Sequence, residues 1–119
     1  MVDDDEAIRS LLVELLTDAG YVVDEARSGR EGLSRVAEQR PDLILLDKLM
    51  ADGDGTFFAK GYAALRGRHA PIVGLCAARG ADEWAREASL AALVAKPFDI
   101  DELLATIARH VGERTKESA

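Results

Sequence analysis

The sequence predicts an α/β domain built on a doubly wound parallel sheet, with helices on both faces. Three observations carry that expectation. Short apolar or β-branched runs alternate with helical patterns along the whole chain. One run, "LILL", is apolar without alternation, as a strand buried on both faces requires. The helical patterns begin and end on residues that cap or turn the backbone.

Taken in order, the first helix covers Ala7–Ala19, where Ile8, Leu11, Leu12, Leu15 and Leu16 recur at helical spacing and Gly20 supplies a left-handed stop. "YVVDEA", Tyr21–Ala26, is short and β-branched and reads as a strand. Ser28 and Glu31 form a capping-box pattern for a second helix that ends before Pro41. Leu43–Asp47 is the buried strand, and a helix follows over about Thr56–Leu65. Ile72–Cys76 and Ala92–Ala95 are two further strands, separated by a helix around Asp82–Ala88. Asp99 and Glu102 open a last helix with the stripe Leu103, Leu104, Ile107 and Val111. The expected boundaries are a single domain over residues 1–112 and a polar tail or start of a linker over 113–119.

The opening strand is the anomaly. Only Met1 and Val2 precede the acids Asp3, Asp4, Asp5 and Glu6, whereas a strand usually needs five or six residues. Three absent buried apolar residues forfeit roughly 4–9 kcal/mol, much of a typical domain's stability. Three readings stand: the natural chain begins upstream, the short strand pairs minimally, or a neighbouring molecule fills the gap by swapping or strand addition.

The 119 residues carry a formal net charge of −7, which disfavours nucleic-acid binding, since phosphate affinity rests on clustered Lys and Arg. No apolar run approaches the about 18 residues that cross a bilayer, and a single cysteine allows no internal disulfide. The expected compartment is the cytoplasm, with no membrane partner.

In open parallel sheets, ligands bind beyond the carboxyl ends of the strands. Those ends carry Asp3 and Asp4, then Asp47, Cys76 and Lys96. Two carboxylates about 4 Å apart repel by roughly 4 kcal/mol at an effective dielectric near 20. A cation relieves that repulsion, and an oxygen-only set open to water suits Mg²⁺. Lys96 adds a point charge for a phosphate. Neither a dinucleotide loop nor a calcium loop fits: "GDGTFF" has Phe58 where a third glycine is needed, and "DKLMADGDG" has the wrong spacing.

"DDD" after an apolar strand, "DLILLDKLMADGDG" and "AKPFD", in that order, resemble the receiver domain of two-component response regulators, over essentially the whole chain. The resemblance implies a flavodoxin-like, five-stranded parallel sheet of order 2-1-3-4-5, with its first strand truncated here. It implies that Asp47 is the phosphoacceptor, that Asp3, Asp4, Asp47 and the Leu49 backbone carbonyl hold Mg²⁺, and that Lys96 pairs with the phosphoryl group. It also implies a cis bond before Pro97. The implied partners are a histidine kinase or phosphotransfer protein and a downstream protein or effector domain; a homodimer is admitted. Such a domain is a signalling module that assists its own phosphorylation, not a dedicated enzyme.

Three departures from the family pattern matter. Cys76 stands where a Ser or Thr hydroxyl reports phosphorylation, and a thiol is a weaker donor. Leu93 replaces the usual aromatic switch residue. Leu49 and Ala78 occupy positions that often orient the attacking water, which implies slow autodephosphorylation. The alternative function is therefore a receiver-like adaptor that binds its partner regardless of phosphorylation.

Overall fold

A computed structural model of the chain describes residues 1–50, 53–76 and 81–118. Its elements are α1 (Glu6–Asp18), α2 (Gly29–Glu38), β1 (Ile44–Asp47), β2 (Leu49–Met50), β3 (Gly53–Asp54), α3 (Thr56–Ala64), β4 (Ile72–Cys76), α4 (Ala81–Glu87), β5 (Ala92–Ala95) and α5 (Ile100–Ser118). Ala78, one of the two water-orienting positions, lies outside the described residues.

Local chemistry sets the helix ends. Asp5 caps α1, its side chain accepting from the Ala7 and Ile8 N–H groups. Ser28 accepts from the Glu31 N–H at the start of α2, and Asp99 accepts from the Asp101 and Glu102 N–H groups at α5. Gly20 ends the first helical unit at φ 100°, a conformation costly for any residue with a Cβ.

Strands β1, β4 and β5 form a parallel sheet in that order, with Asp47 opposite Leu75 and Cys76 opposite Ala95. Successive strand side chains point to opposite faces, and the core divides accordingly. Ile44, Leu46, Ile72, Cys76 and Leu93 pack with Val36 of α2, Phe58 and Tyr62 of α3, and Trp84 of α4. Leu45, Val73, Leu75 and Val94 pack with Leu12 and Leu16 of α1 and Leu103 and Ile107 of α5. Both faces are covered, which is why "LILL" shows no polar alternation.

The opening strand is reduced to one bridging residue. Val2 makes parallel bridges to Ala26 on one side and Leu46 on the other. Its N–H donates to the Leu45 carbonyl at 2.8 Å, and its carbonyl accepts from the Asp47 N–H at 2.9 Å. Ala26 donates to the Met1 carbonyl at 2.8 Å, and Asp3 donates to the Ala26 carbonyl at 3.1 Å.

The expected strand Tyr21–Ala26 is corrected: only Ala26 pairs, and only as an isolated bridge. In the residues before it, Tyr21 donates to the Leu16 carbonyl and Asp24 accepts from Met1, and no ladder forms. Their side chains still alternate, with Tyr21 and Val23 packed on the α1–α5 core and Val22 99% exposed. The Met1 ammonium donates to the Asp24 carbonyl at 2.8 Å. Burial pushes that amine down to about 6, against the raising influence of Asp24 and Glu25. The α5 helix continues through Ser118, across residues 113–118 of the segment expected as a polar tail.

Candidate functional site

The bond from the Asp47 N–H to the Val2 carbonyl fixes two chain segments in register at the carboxyl end of the sheet. Asp3 and Asp4 leave Val2 there, and Asp47 closes β1 beside them. One carboxylate oxygen from each of the three lies within 4.8 Å of the others. Asp3 and Asp47 are buried, and Asp4 is exposed. Two of the four opening acids thus belong to a pocket.

Lys96 enters from the end of β5. Its N–H donates to the Cys76 carbonyl at 2.8 Å, and its peptide bond to Pro97 is cis, as the resemblance implies. Its Nζ reaches Asp47 Oδ1 at 2.5 Å. Asp47 is pushed above the usual carboxylate range by burial and by Asp4, although the Lys96 hydrogen bond opposes this. Asp3 is also raised, first by burial and then by Asp47, against the Asp5 N–H that donates to its Oδ1 at 2.9 Å.

Among the described residues, the Lys96 ammonium pairs with this cluster at Asp47, and one carboxylate oxygen is stranded. Asp3 Oδ2 is buried without a hydrogen-bond partner among the described residues. A buried carboxylate oxygen left so is costly. A hard cation is the ligand an all-oxygen cluster of this kind accepts, and with one exposed member the site leaves room for water and phosphate, as Mg²⁺ prefers. The residues fit that ion.

Cys76 is buried at the end of β4, and burial raises its thiol. The proton is held, which disfavours thiolate reactivity. Leu93 pairs with Gly74 and packs against the core that holds Trp84. Leu49 opens the β2–β3 hairpin, pairing with Asp54.

Two further residues shape the pocket and were missed in the sequence. Arg9 is buried on α1; its Nη1 donates to the Asp3 carbonyl at 2.9 Å and its Nε pairs with Glu25 at 3.2 Å. The signal was its place in register with Leu12 and Leu16, on the buried face of the helix. Gly55 brings the hairpin back, donating its N–H to the Lys48 carbonyl at 2.7 Å. A Cβ at Gly55 would lie 2.8 Å from both the Asp47 carbonyl and the Trp84 ring, so only glycine permits this approach.

Comparison with known proteins agrees with the geometry. The family profile described as "Response regulator receiver domain" matches residues 1–108. The chain is 37% identical over 110 residues to the transcriptional regulatory protein PdtaR of Mycobacterium tuberculosis, covering 90% of this chain and 53% of that protein. It is 40% identical over 119 residues to the response regulator MprA of Mycobacterium leprae, covering 97% of this chain and 50% of that one. The chain thus spans about half the length of these relatives. It spans 94% of the polar-differentiation response regulator DivK of Brucella anthropi, at 30% identity and 95% of this chain. Among solved structures, a CheY-like response regulator receiver domain protein from Methanospirillum hungatei superposes with TM-score 0.85 at 28% identity, covering 98% of this chain and 94% of that one. The chemotaxis protein CheY4 of Vibrio cholerae does so with TM-score 0.78 at 29% identity, covering 92% and 93%. Among the described residues, no helix is long and apolar enough to cross a membrane. The chain belongs to the response regulator receiver domain family.

Proposed function

We propose that this domain accepts a phosphoryl group on Asp47 from a phosphohistidine of a partner kinase or phosphotransfer protein, with Mg²⁺ held by Asp3, Asp4, Asp47 and the Leu49 carbonyl. The observation that carries this reading is the convergence of three carboxylates and Lys96, with Asp3 Oδ2 left unpartnered among the described residues. Mg²⁺ would supply charge neutralisation for the phosphoryl oxygens.

The chain's own residues do the rest. A carboxylate oxygen of Asp47 attacks phosphorus while the phosphorus–nitrogen bond breaks, and the electron pair leaves with the imidazole. Lys96, held at Asp47 by its backbone bond to Cys76, is placed to transfer its charge pairing to the incoming phosphoryl group. Arg9 fixes the Asp3 backbone, so the metal-facing carboxylates stay in place. The strand order 2-1-3-4-5 is supported by the Val2 bridges, which set the Ala26 segment, Val2, β1, β4 and β5 side by side.

The output is a change in a partner-facing surface over α4, β5 and α5, read by a downstream protein or effector domain. With Cys76 in the reporting position and Leu93 packed in the core, that change runs without a hydroxyl–aromatic exchange. The domain remains a signalling module working in the cytoplasm, not a dedicated enzyme. The assembled pocket favours a working acceptor over an adaptor indifferent to phosphorylation.

Incubation with Mg²⁺ and a small phosphodonor, followed by intact mass, tests this. A gain of one phosphoryl group, lost in Asp47→Ala and slow to decay, is expected. No gain, or an equal gain in Asp47→Ala, overturns the reading.

A further inference from the structure

Helices α2 and α3 lie side by side over one face of the sheet. A Cβ at Gly61 would stand 2.7 Å from Leu33, so these two residues mark the line along which the helices meet. Both helices run in the same direction. Gly32 faces Phe58, Gly61 faces Leu33, and Arg40, just past α2, reaches the turn after α3. One turn before Gly61 on the same face of α3 stands Phe57, 46% exposed, and one turn after it the exposed Ala64.

Charge follows the same line. Arg40 donates to the Arg66 and Arg68 carbonyls, which gathers three arginines at the far end of the groove. Lys60 is exposed on α3, between Phe57 and that corner. Among the described residues, Arg40, Lys60 and Arg66 make no ion pair with a carboxylate. Even with Asp42 two residues after Arg40, the corner is net positive in a chain of formal net charge −7.

Helix α1 presents the complement. Ala7, Leu11, Glu14 and Asp18 are exposed and fall on one helical stripe. Leu11 is 49% exposed, and the one basic residue of α1, Arg9, is buried. The stripe is apolar first and acidic after, as the groove is apolar first and basic after. Leu11 to Asp18 spans about 10 Å along the axis, the same as Phe57 to Ala64, beyond which the arginines begin.

We propose that α1 of a second copy docks in the α2–α3 groove, parallel to both helices, with Leu11 on Phe57 and with Glu14 and Asp18 against Lys60 and the arginine corner. The charges set the direction, since a reversed helix would place Leu11 among arginines and the acids on Phe57. Helix and groove are different patches of one molecule, so the contact is heterologous and repeats head to tail. One helix in one groove buries less than a standard interface, so the association is weak and reversible. It requires no phosphorylation of Asp47.

Two variants of the full chain test this. Leu11→Ser with Glu14→Lys spoils the helix stripe and keeps the groove, whereas Phe57→Ser with Arg66→Glu spoils the groove and keeps the stripe. In sedimentation at up to about 1 mM protein, the parent chain should associate with concentration. Each variant alone should associate about tenfold more weakly or less. Their equal mixture should form a dimer and grow no further, because one copy offers the groove and the other the helix. Melting temperatures check that each variant folds; where one does not, the single charge reversals Glu14→Lys and Arg66→Glu carry the same expectation. A parent chain that stays monomeric overturns the proposal. So does undiminished association in either variant, which places the contact elsewhere, or a mixture that does not pair. Poly-glutamate that shifts the α3 amides of a monomeric parent chain assigns the groove to a foreign acidic partner, and likewise overturns it.

Discussion

The two ends of one sheet are built to different degrees. At the carboxyl end, backbone bonds tie each segment to the next: Asp47 to Val2, Lys48 to Leu75, and Lys96 to Cys76. At the amino end, Leu43 and Leu45 face a cavity where a central strand would run. One bridging residue is enough to hold the pocket, because position there depends on register and Val2 sets it. One residue is not enough to fill the core, because burial scales with the area removed from water. The geometry of the site and the stability of the fold are therefore separable in this molecule.

The largest expected effect follows from the open end. Fusing Leu-Val-Val ahead of Met1 should raise unfolding free energy by about 4 kcal/mol or more and leave the Mg²⁺ affinity unchanged. A Gly-Ser fusion of the same length should gain little. Chemical denaturation of the two fusions checks this, and equal curves would erase the contrast between the ends.

The carboxyl end was the more legible one. Asp3, Asp4, Asp47, Cys76 and Lys96 could be placed because each follows an apolar run, and a strand's end is fixed by where its apolar residues stop. Asp5, outside the expected metal set, had no role read from sequence; it caps α1, a role set by backbone donors that a charge count does not reveal. Tyr21–Ala26 has strand composition and alternation, but a strand also needs a bonded neighbour, and local propensity carries no information about one. Gly55 gave no signal in sequence, since its need for a missing Cβ arises from Trp84, contributed by a helix far along the chain.

Next in size is Gly55→Ala. The added methyl meets the Asp47 carbonyl and the Trp84 ring, so a loss of about 1–3 kcal/mol is expected. Because the clash falls on Asp47 itself, phosphoryl incorporation should slow as well. Denaturation midpoints and the rate of mass gain measure the two effects. If stability falls while the rate holds, the Gly55 turn has no part in placing the acceptor.

The smallest effect distinguishes the ends by pH. At the open end, the Met1 amine sits near 6 in the folded chain and near its ordinary value of about 8 when unfolded. Between those values the unfolded chain binds the extra proton, so stability rises with pH across that window. Acetylating Met1 should flatten it. At the pocket the sign reverses. Asp3 and Asp47 are raised, so the folded chain holds protons that the unfolded chain has lost, and stability falls as pH climbs above about 4. Saturating Mg²⁺ should remove that fall and leave the Met1 window intact.

The most direct measurement is a calorimetric titration of the chain with Mg²⁺ at neutral pH. Saturable one-to-one binding is expected, weakened by about tenfold or more in Asp4→Asn and in Asp47→Asn, since each removes a charged ligand. Binding that is absent, or equal in the parent chain and both variants, would contradict the assignment of these carboxylates to a cation beside Asp47.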